Sequence, residues 1–266
     1  MSENWLELSG KTVIVTGAAS GIGKAIAAEL VRCGANTVVT DLAVTDGDDQ
    51  DGAYCIQSDV TKKESIENLV AKTLEKFGRV DGIVNNAGIN FPRLLVDLFH
   101  THPEYELSDR DFGAMVGVNQ KGLFLCAQAA AKQMIKQGGG VIINVSSESG
   151  QEGSAGQSCY AATKGATIAF TRSWAKELGP QNIRVVAIAP GILEKTGLRT
   201  DAYNNALAYT RGTTPDKLNS DYSKSIPLGR PGKLSEVANL VTFLVSERAS
   251  YITGTCINIS GGKSRG

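Results

Sequence analysis

At 266 residues the chain can bury a substantial core, as one large domain or two small ones. Its 27 Lys+Arg match 27 Asp+Glu, so no net charge draws it to nucleic acid or to an anionic membrane. The start, MSENWLELSGK, is acidic and lacks an apolar stretch, and no later run approaches the roughly 20 apolar residues of a membrane span; the expectation is a cytoplasmic protein.

Residues 11–16 (KTVIVT) predict a short buried strand that runs into Gly17, Ser20, Gly21, Ile22 and Gly23. Behind it Ile22, Ile26, Ala27, Leu30 and Val31 mark the inner side of a helix. A second strand, Asn36–Asp41, ends on an acid, and a loop rich in Asp and Gly leads to a third, Ala53–Gln57, and the turn at Ser58, Asp59 and Val60. Thr61 to Glu64 have the form of a capping box, followed by Ile66, Leu69, Val70, Leu74 and Phe77 at helical spacing. The strand at 80–84 closes on Asn85, Asn86, Ala87 and Gly88, and residues 89–107 are irregular. A helix is expected over 108–137, interrupted in its first half by Gly113, Gly117 and Asn119.

From Val141 a β-branched run ends at Ser146 and Ser147, a polar Gly-rich turn follows, and a long helix opens near Gln157 and continues to Leu178. The strand at 183–189 stops at Pro190 and Gly191. Residues 192–231 form an extended polar insertion, ahead of a helix at 235–246 and a last strand at Cys256–Ile259. Strands nearly continuous in Val and Ile, alternating with helices, predict an α/β fold: one domain with a doubly wound, Rossmann-like parallel sheet covered on both faces. Ligands of such a sheet sit outside the carboxyl ends of its strands, where Gly17 to Gly23, Asp41, Asp59, Asn86 to Gly88, Ser147 and Pro190 with Gly191 all fall.

Tyr160 and Lys164 stand one helical turn apart and project from one face. With Ser147 brought over that face, the three groups suit proton transfer at a carbinol oxygen. A tyrosine needs its pKa lowered by ~2–3 units to act as a base at neutral pH, which is ~3–4 kcal/mol. One ammonium at about 4 Å supplies ~4 kcal/mol at an effective dielectric of about 20, so Lys164 is expected to suffice. Ser147 would hold the same oxygen as its charge changes.

Gly17, Gly21 and Gly23 follow a strand and open a helix, so the backbone can approach a pyrophosphate at the helix N-terminus. Asp41, 18 residues after Gly23, can accept from ribose hydroxyls and repel a 2′-phosphate. No basic residue occurs in 18–20 or directly after Asp41, so the expected cofactor is NAD.

These motifs together resemble the short-chain dehydrogenase/reductase family over essentially the whole chain: the glycine turn, Asp59 with Val60, the Asn86, Ala87, Gly88 signature, the tetrad Asn119, Ser147, Tyr160 and Lys164, and Pro190 with Gly191. The resemblance implies hydride transfer at a nicotinamide, with Tyr160 as acid and base, Lys164 on the ribose, and Asn119 placing a water in the proton relay. It implies a cofactor site that also takes in Ile192, and a homotetramer or dimer. Four further segments, at 90–97, 146–164, 190–200 and 246–254, resemble members acting on a hexitol phosphate, which implies interconversion of D-sorbitol 6-phosphate and D-fructose 6-phosphate. Another polyol or a 3-oxoacyl thioester is the alternative substrate. A non-catalytic nucleotide sensor on this fold is expected to have lost Ser147, Tyr160 or Lys164, and all three are present.

Between Gly191 and Arg230 six basic residues (Lys195, Arg199, Arg211, Lys217, Lys224, Arg230) stand against four acidic ones (Glu194, Asp201, Asp216, Asp221), a balance that suits a sugar phosphate better than an acyl chain. Arg93, Lys195 and Arg199 are the candidates for the phosphate, Glu148 and Glu152 for sugar hydroxyls. Five scattered cysteines predict reduced thiols, and His100, His102 and Glu104 are read as loop residues without a metal. The tail, residues 261–266, is a candidate to reach a neighbouring subunit's site.

Overall fold

The computed structural model describes residues 5–197, 199–219, 222 and 224–264. Its strands are β1 (Thr12–Thr16), β2 (Asn36–Asp41), β3 (Asp49–Gln50), β4 (Ala53–Gln57), β5 (Gly82–Asn85), β6 (Gly140–Val145), β7 (Ile183–Pro190) and β8 (Cys256–Ile259). They form one sheet in the order β3-β4-β2-β1-β5-β6-β7-β8, in which only the two-residue β3 runs antiparallel to its neighbour.

Side chains alternate across this sheet, so each strand feeds two cores and reads as continuously apolar. Val13 and Val15 of β1 face a cluster closed by α1 (Gly21–Arg32) and by Val237, Val241 and Leu244 near the C-terminus. Ile14 between them faces the opposite cluster, with Ile66 and Leu69 of α2 (Lys63–Phe77) and Met134 further along. The order of strands reverses at β1, whose neighbours are β2 and β5, and a crevice opens at their carboxyl ends.

The helix expected over 108–137 is α3 (Asp109–Val116) and α4 (Leu123–Lys136), joined without a break by a π-helical turn at Gly117–Gly122 that carries Asn119. The Ser108 side chain caps α3 by accepting from the Asp111 N–H. The capping box expected from Thr61 does not form: its hydroxyl donates to Asp59 at 2.7 Å, and α2 starts without a side-chain cap. After α5 (Ser149–Glu152) comes α6 (Ser158–Leu178), which buries Thr163, Lys164, Thr167 and Thr171 in one stripe.

The polar insertion holds a helix that its composition did not announce, α7 (Asp201–Thr210), capped by the Thr200 side chain and burying Ala206, Leu207 and Ala208. Asp97 ties the irregular stretch before α3 to it: its Oδ1 accepts from the Tyr209 hydroxyl at 2.5 Å. The rings of Phe99, His102 and Tyr105 pack around that same tyrosine. The last helix is α8 (Leu234–Val245). Among the described residues no helix is long and apolar enough to cross a membrane.

Candidate active site

Beyond β1 the chain turns through Gly17 and Gly21, both at positive φ (63° and 57°). A Cβ on Gly17 would stand 2.7 Å from the Ala87 Cα, and one on Gly23 would enter the Gly17 carbonyl and come within 2.6 Å of Asn86 Nδ2. Only glycine lets the turn, α1 and the loop after β5 meet this closely. Asn86 then fastens them, its side chain donating to the Thr16 and Gly17 carbonyls at 2.9 Å each. The Thr16 hydroxyl accepts in return from the Asn86 and Ala87 N–H groups.

Across this turn lies a groove of about 320 Å³, lined by Gly17, Ser20, Gly21, Ile22, Asp41, Asn86, Ala87, Gly88, Pro190 and Gly191 and, at its inner end, by Ser147, Tyr160 and Lys164. Asp41 keeps its carboxylate in place by accepting from the Ala19 N–H (3.2 Å) and the Ala43 N–H (3.1 Å). Lys24, the cation directly after the glycine turn, pairs with Asp51 instead. Four of the expected cofactor residues, Gly23, Asp59, Val60 and Ile192, do not line the groove. Gly23 acts from beneath as a spacer. Asp59 is occupied by Thr61 and Lys62, and Val60 packs against Gly122 of the π-helical turn.

Asn119 is buried, and its side chain joins two elements: Oδ1 accepts from the Ile89 N–H (2.8 Å), and Nδ2 donates to the Ile89 carbonyl (2.9 Å) and to Thr163 Oγ1 (3.0 Å). Both Nδ2 hydrogens are thus engaged, and the side chain ties the π-helical turn to the loop after β5 and to α6. Lys164 Nζ donates to the Val145 carbonyl at 2.7 Å and lies 5.7 Å from the centre of the Tyr160 ring. Ser147 is hydrogen-bonded to the Tyr160 side chain and is itself oriented by Ser149.

Burial decides the electrostatics here. It pushes the Tyr160 phenol up to about 12, against the opposing hydrogen bond from Ser147, and pushes Lys164 down to about 8. This reverses the direction expected from the four-residue spacing. The spacing puts the two groups on one face, as anticipated, but the ammonium is turned onto a carbonyl and desolvation outweighs its field.

Profile comparison matches residues 17–264 to the family described as enoyl-(acyl carrier protein) reductase. Sorbitol-6-phosphate 2-dehydrogenase of Klebsiella pneumoniae is 54% identical over 264 residues, covering 98% of this chain and 99% of that protein. The 3-oxoacyl-[acyl-carrier-protein] reductase of Thermotoga maritima is 38% identical, covering 97% and 99%. Among solved structures, the 3-ketoacyl-(acyl-carrier-protein) reductase of Brucella melitensis complexed with NADH superposes with a TM-score of 0.81 at 31% identity, covering 97% of this chain and 100% of that one. The chain belongs to the short-chain dehydrogenase/reductase family. It is an oxidoreductase, as the tetrad implied.

In this short-chain dehydrogenase/reductase a second, more polar cavity of about 240 Å³ opens on Ser147 and Tyr160 from the side opposite the glycine turn. Its walls carry Glu148, Glu152, Arg199, Arg211, Tyr203 and Lys263, and Ile192 lines it as well. Arg199 lines both cavities, at their junction. Tyr203 also lines both; its hydroxyl accepts from Gln157 Nε2 at 2.9 Å and from Asn90 Nδ2 at 3.3 Å.

Of the five expected substrate residues the dehydrogenase brings three to this cavity. Arg93 is not one of them: it is paired with Asp111 at 2.7 Å, donates to the Pro92 carbonyl, and lies against the Phe91 and Tyr105 rings. Lys195 lines neither cavity. Glu148 is in place but not free for hydroxyls, since Lys263 and Ser264 take its two oxygens. The described part of the tail therefore folds onto its own chain; residues 265 and 266, like Asp221 of the charge count, lie outside the described residues. Tyr203 and Lys263 went unanticipated. The first had one signal, a Thr200 three residues ahead that can cap a helix; the second lies in the tail, which was expected to reach a neighbouring subunit's site and not the cavity of its own chain. His102 Nδ1 pairs with Glu104 at 2.8 Å.

Proposed function

We propose that the enzyme interconverts D-sorbitol 6-phosphate and D-fructose 6-phosphate with NAD(H). The observation that carries this is the polar cavity beside Tyr160, which collects Arg199, Arg211 and Lys263 among hydroxyl and amide partners. A phosphate dianion is matched by two guanidinium groups, and a polyol by side chains that donate and accept. The likeness to the Klebsiella pneumoniae dehydrogenase points the same way. A 3-oxoacyl thioester is the alternative, favoured by the Thermotoga maritima relative; its acyl chain wants apolar walls, which among the described residues this cavity offers at Ile192, Leu207 and Leu218.

The groove fits a dinucleotide, because neither Gly17 in its lining nor Gly23 beneath it has room for a Cβ, and its rim carries Asp41. We assign NAD rather than NADP to the Asp41 carboxylate and to the engagement of Lys24 with Asp51. When bound, the oxidised cofactor supplies a hydride acceptor and a cationic ring. In the oxidation direction Tyr160 takes the carbinol proton while Ser147 donates to the same oxygen. A phenol pushed up to about 12 by burial becomes a base only when positive charge enters its pocket, so proton transfer follows formation of the ternary complex. Lys164 holds the ribose edge beside the phenol.

The enzyme acts in the cytoplasm, in keeping with five cysteines that form no disulfide, of which four are buried. A homotetramer, or else a dimer, is supported by exposed Phe112, Phe124 and Ile135 along α3 and α4, beside a hollow that Trp174 and Leu178 of α6 help to line.

Initial rates with sorbitol 6-phosphate and sorbitol under NAD test the assignment. The phosphorylated substrate should be favoured by at least tenfold in kcat/KM; equal turnover removes the phosphate site. Tyr160→Phe should abolish turnover and leave NADH binding nearly intact, and retained turnover would refute the role given to the phenol.

A further inference from the structure

Lys263, in the turn that follows β8, forms part of one wall of the substrate cavity. Past β8 the backbone turns back on itself: the Lys263 N–H donates to the Ser260 carbonyl at 3.2 Å and the Ser264 N–H to Ser260 Oγ at 3.1 Å. Asn258 Nδ2 donates to the Ser264 carbonyl at 3.3 Å. Two side chains of this turn then close on a single carboxylate. Lys263 Nζ lies 2.6 Å from Glu148 Oε1, and the Ser264 hydroxyl donates to Glu148 Oε2 at 2.9 Å. Gly191 makes room for the clasp, because a Cβ there would stand 2.8 Å from Glu148 Oε2 and 3.0 Å from the Ser260 Cα.

Glu148 is the neighbour of Ser147, so the clasp brings Lys263 and Ser264 next to the group that holds the reacting oxygen. The ion pair is largely shielded, with the Lys263 side chain 26% and the Glu148 side chain 15% exposed. An ammonium carries three N–H donors and no acceptor. Glu148 takes one of them, and Lys263 still lines the cavity together with Ser147 and Tyr160. Because the carboxylate cancels its charge, this lysine suits a neutral oxygen better than a dianion. Arg199 and Arg211, which both act electrostatically on the Tyr203 hydroxyl, hold the α7 side of the same cavity.

We propose that Lys263, held in place by Glu148, is a specificity-determining residue that donates to a polyol hydroxyl next to the reacting carbinol, while the phosphate lies toward Arg199 and Arg211. This rests on the assignment of a polyol phosphate as substrate. Because the hydroxyls are common to sorbitol 6-phosphate and sorbitol, loss of this donor should weaken both alike, whereas loss of a phosphate ligand should weaken only the first.

Lys263→Met keeps the aliphatic stem and removes the donors. For this variant kcat/KM should fall about 10- to 100-fold on both substrates, the loss of one charge-assisted hydrogen bond. Most of that change should appear in KM. NADH affinity, read by fluorescence titration, should stay within twofold and show that the cofactor groove is formed. Lys263→Arg should recover part of the loss, and Glu148→Gln should lower kcat/KM on both substrates too. A loss confined to sorbitol 6-phosphate makes Lys263 a phosphate ligand and overturns the proposal; so do rates within twofold of the parent on both. A parent enzyme that does not favour the phosphorylated substrate removes the phosphate assignment alone, and the Lys263 comparison is then read on sorbitol. A parent that turns over neither polyol overturns both.

Discussion

Replacing Asp41 by Asn should change which dinucleotide the enzyme prefers, and the structure sets the size of the change. The side chain stands at the tip of β2 on the groove rim, partly exposed, with its two oxygens accepting from the Ala19 and Ala43 N–H groups. Asn keeps the shape and one acceptor and removes the charge. A 2′-phosphate carries about −1.5 to −2 charges. At a contact distance of about 4 Å, each of these meets the carboxylate with about 1 kcal/mol of repulsion in water, and more where solvent is excluded. With the rim open to solvent the lower figure applies, so about 2 kcal/mol of repulsion disappears, roughly 30-fold in favour of NADP. In the other direction, a ribose hydroxyl bound to a carboxylate is worth about 1 kcal/mol more than one bound to an amide, so NAD loses about fivefold. The ratio of kcat/KM for NAD over NADP should therefore fall by about 100-fold, measured as initial rates of NADH and NADPH formation at one fixed substrate concentration and ionic strength. A ratio within threefold of the parent, or a parent enzyme that already favours NADP, refutes the assigned role.

Lys164 has its pKa pushed from 10.5 down to about 8 by burial, so between those values the unfolded chain binds the proton that the folded chain has released. Stability contributed by this group accordingly rises with pH across that window, and the parent should gain about 2 kcal/mol on Lys164→Met between pH 7.5 and 9.5 in urea unfolding; a flat difference contradicts it. Tyr160 acts in the opposite sense from about 10 to about 12, where the folded chain keeps a proton the unfolded chain loses. Gly23→Ala drives a Cβ against the Gly17 carbonyl, Asn86 Nδ2 and the Ala18 Cα, so it should lower stability by about 1–3 kcal/mol and NADH affinity with it; unchanged affinity by titration counts against the assigned groove. Cys126 is fully buried with its thiol pushed up to about 12, so iodoacetamide at pH 8 should leave it unlabelled in the native protein and label it in denaturant, as mass spectrometry can read. Native labelling at the rate of a free thiol contradicts the packing around α4.

The sheet and its ligand-binding edge were legible along the chain because they depend on short-range chemistry. A run such as TVIVT has only one way to bury every side chain, between two helical layers, and Gly17 and Gly23 mark a turn where a Cβ has no space, with Gly21 at positive φ between them. The four-residue step from Tyr160 to Lys164 fixes a shared face whatever surrounds it. The π-helical turn at Asn119 was visible only as an interruption, since one extra residue per turn leaves no compositional trace. The capping box at Thr61 failed on a purely local contest, in which Asp59, two residues away, took the hydroxyl.

What spacing could not convey was which partner each charged group finds and how much water it keeps. Arg93 reads as a phosphate ligand until Asp111, from the other side of an irregular loop, takes its guanidinium. Glu148 reads as a sugar ligand until a lysine 115 residues further on closes over it. The direction of the Tyr160 pKa depends on how deeply the folded chain buries the phenol, and no interval in the chain encodes that. Backbone preference and apolar periodicity act over a few residues and so survive in the linear order. Ion pairing and burial act through space between long, flexible side chains, and only the folded chain decides among their many possible partners.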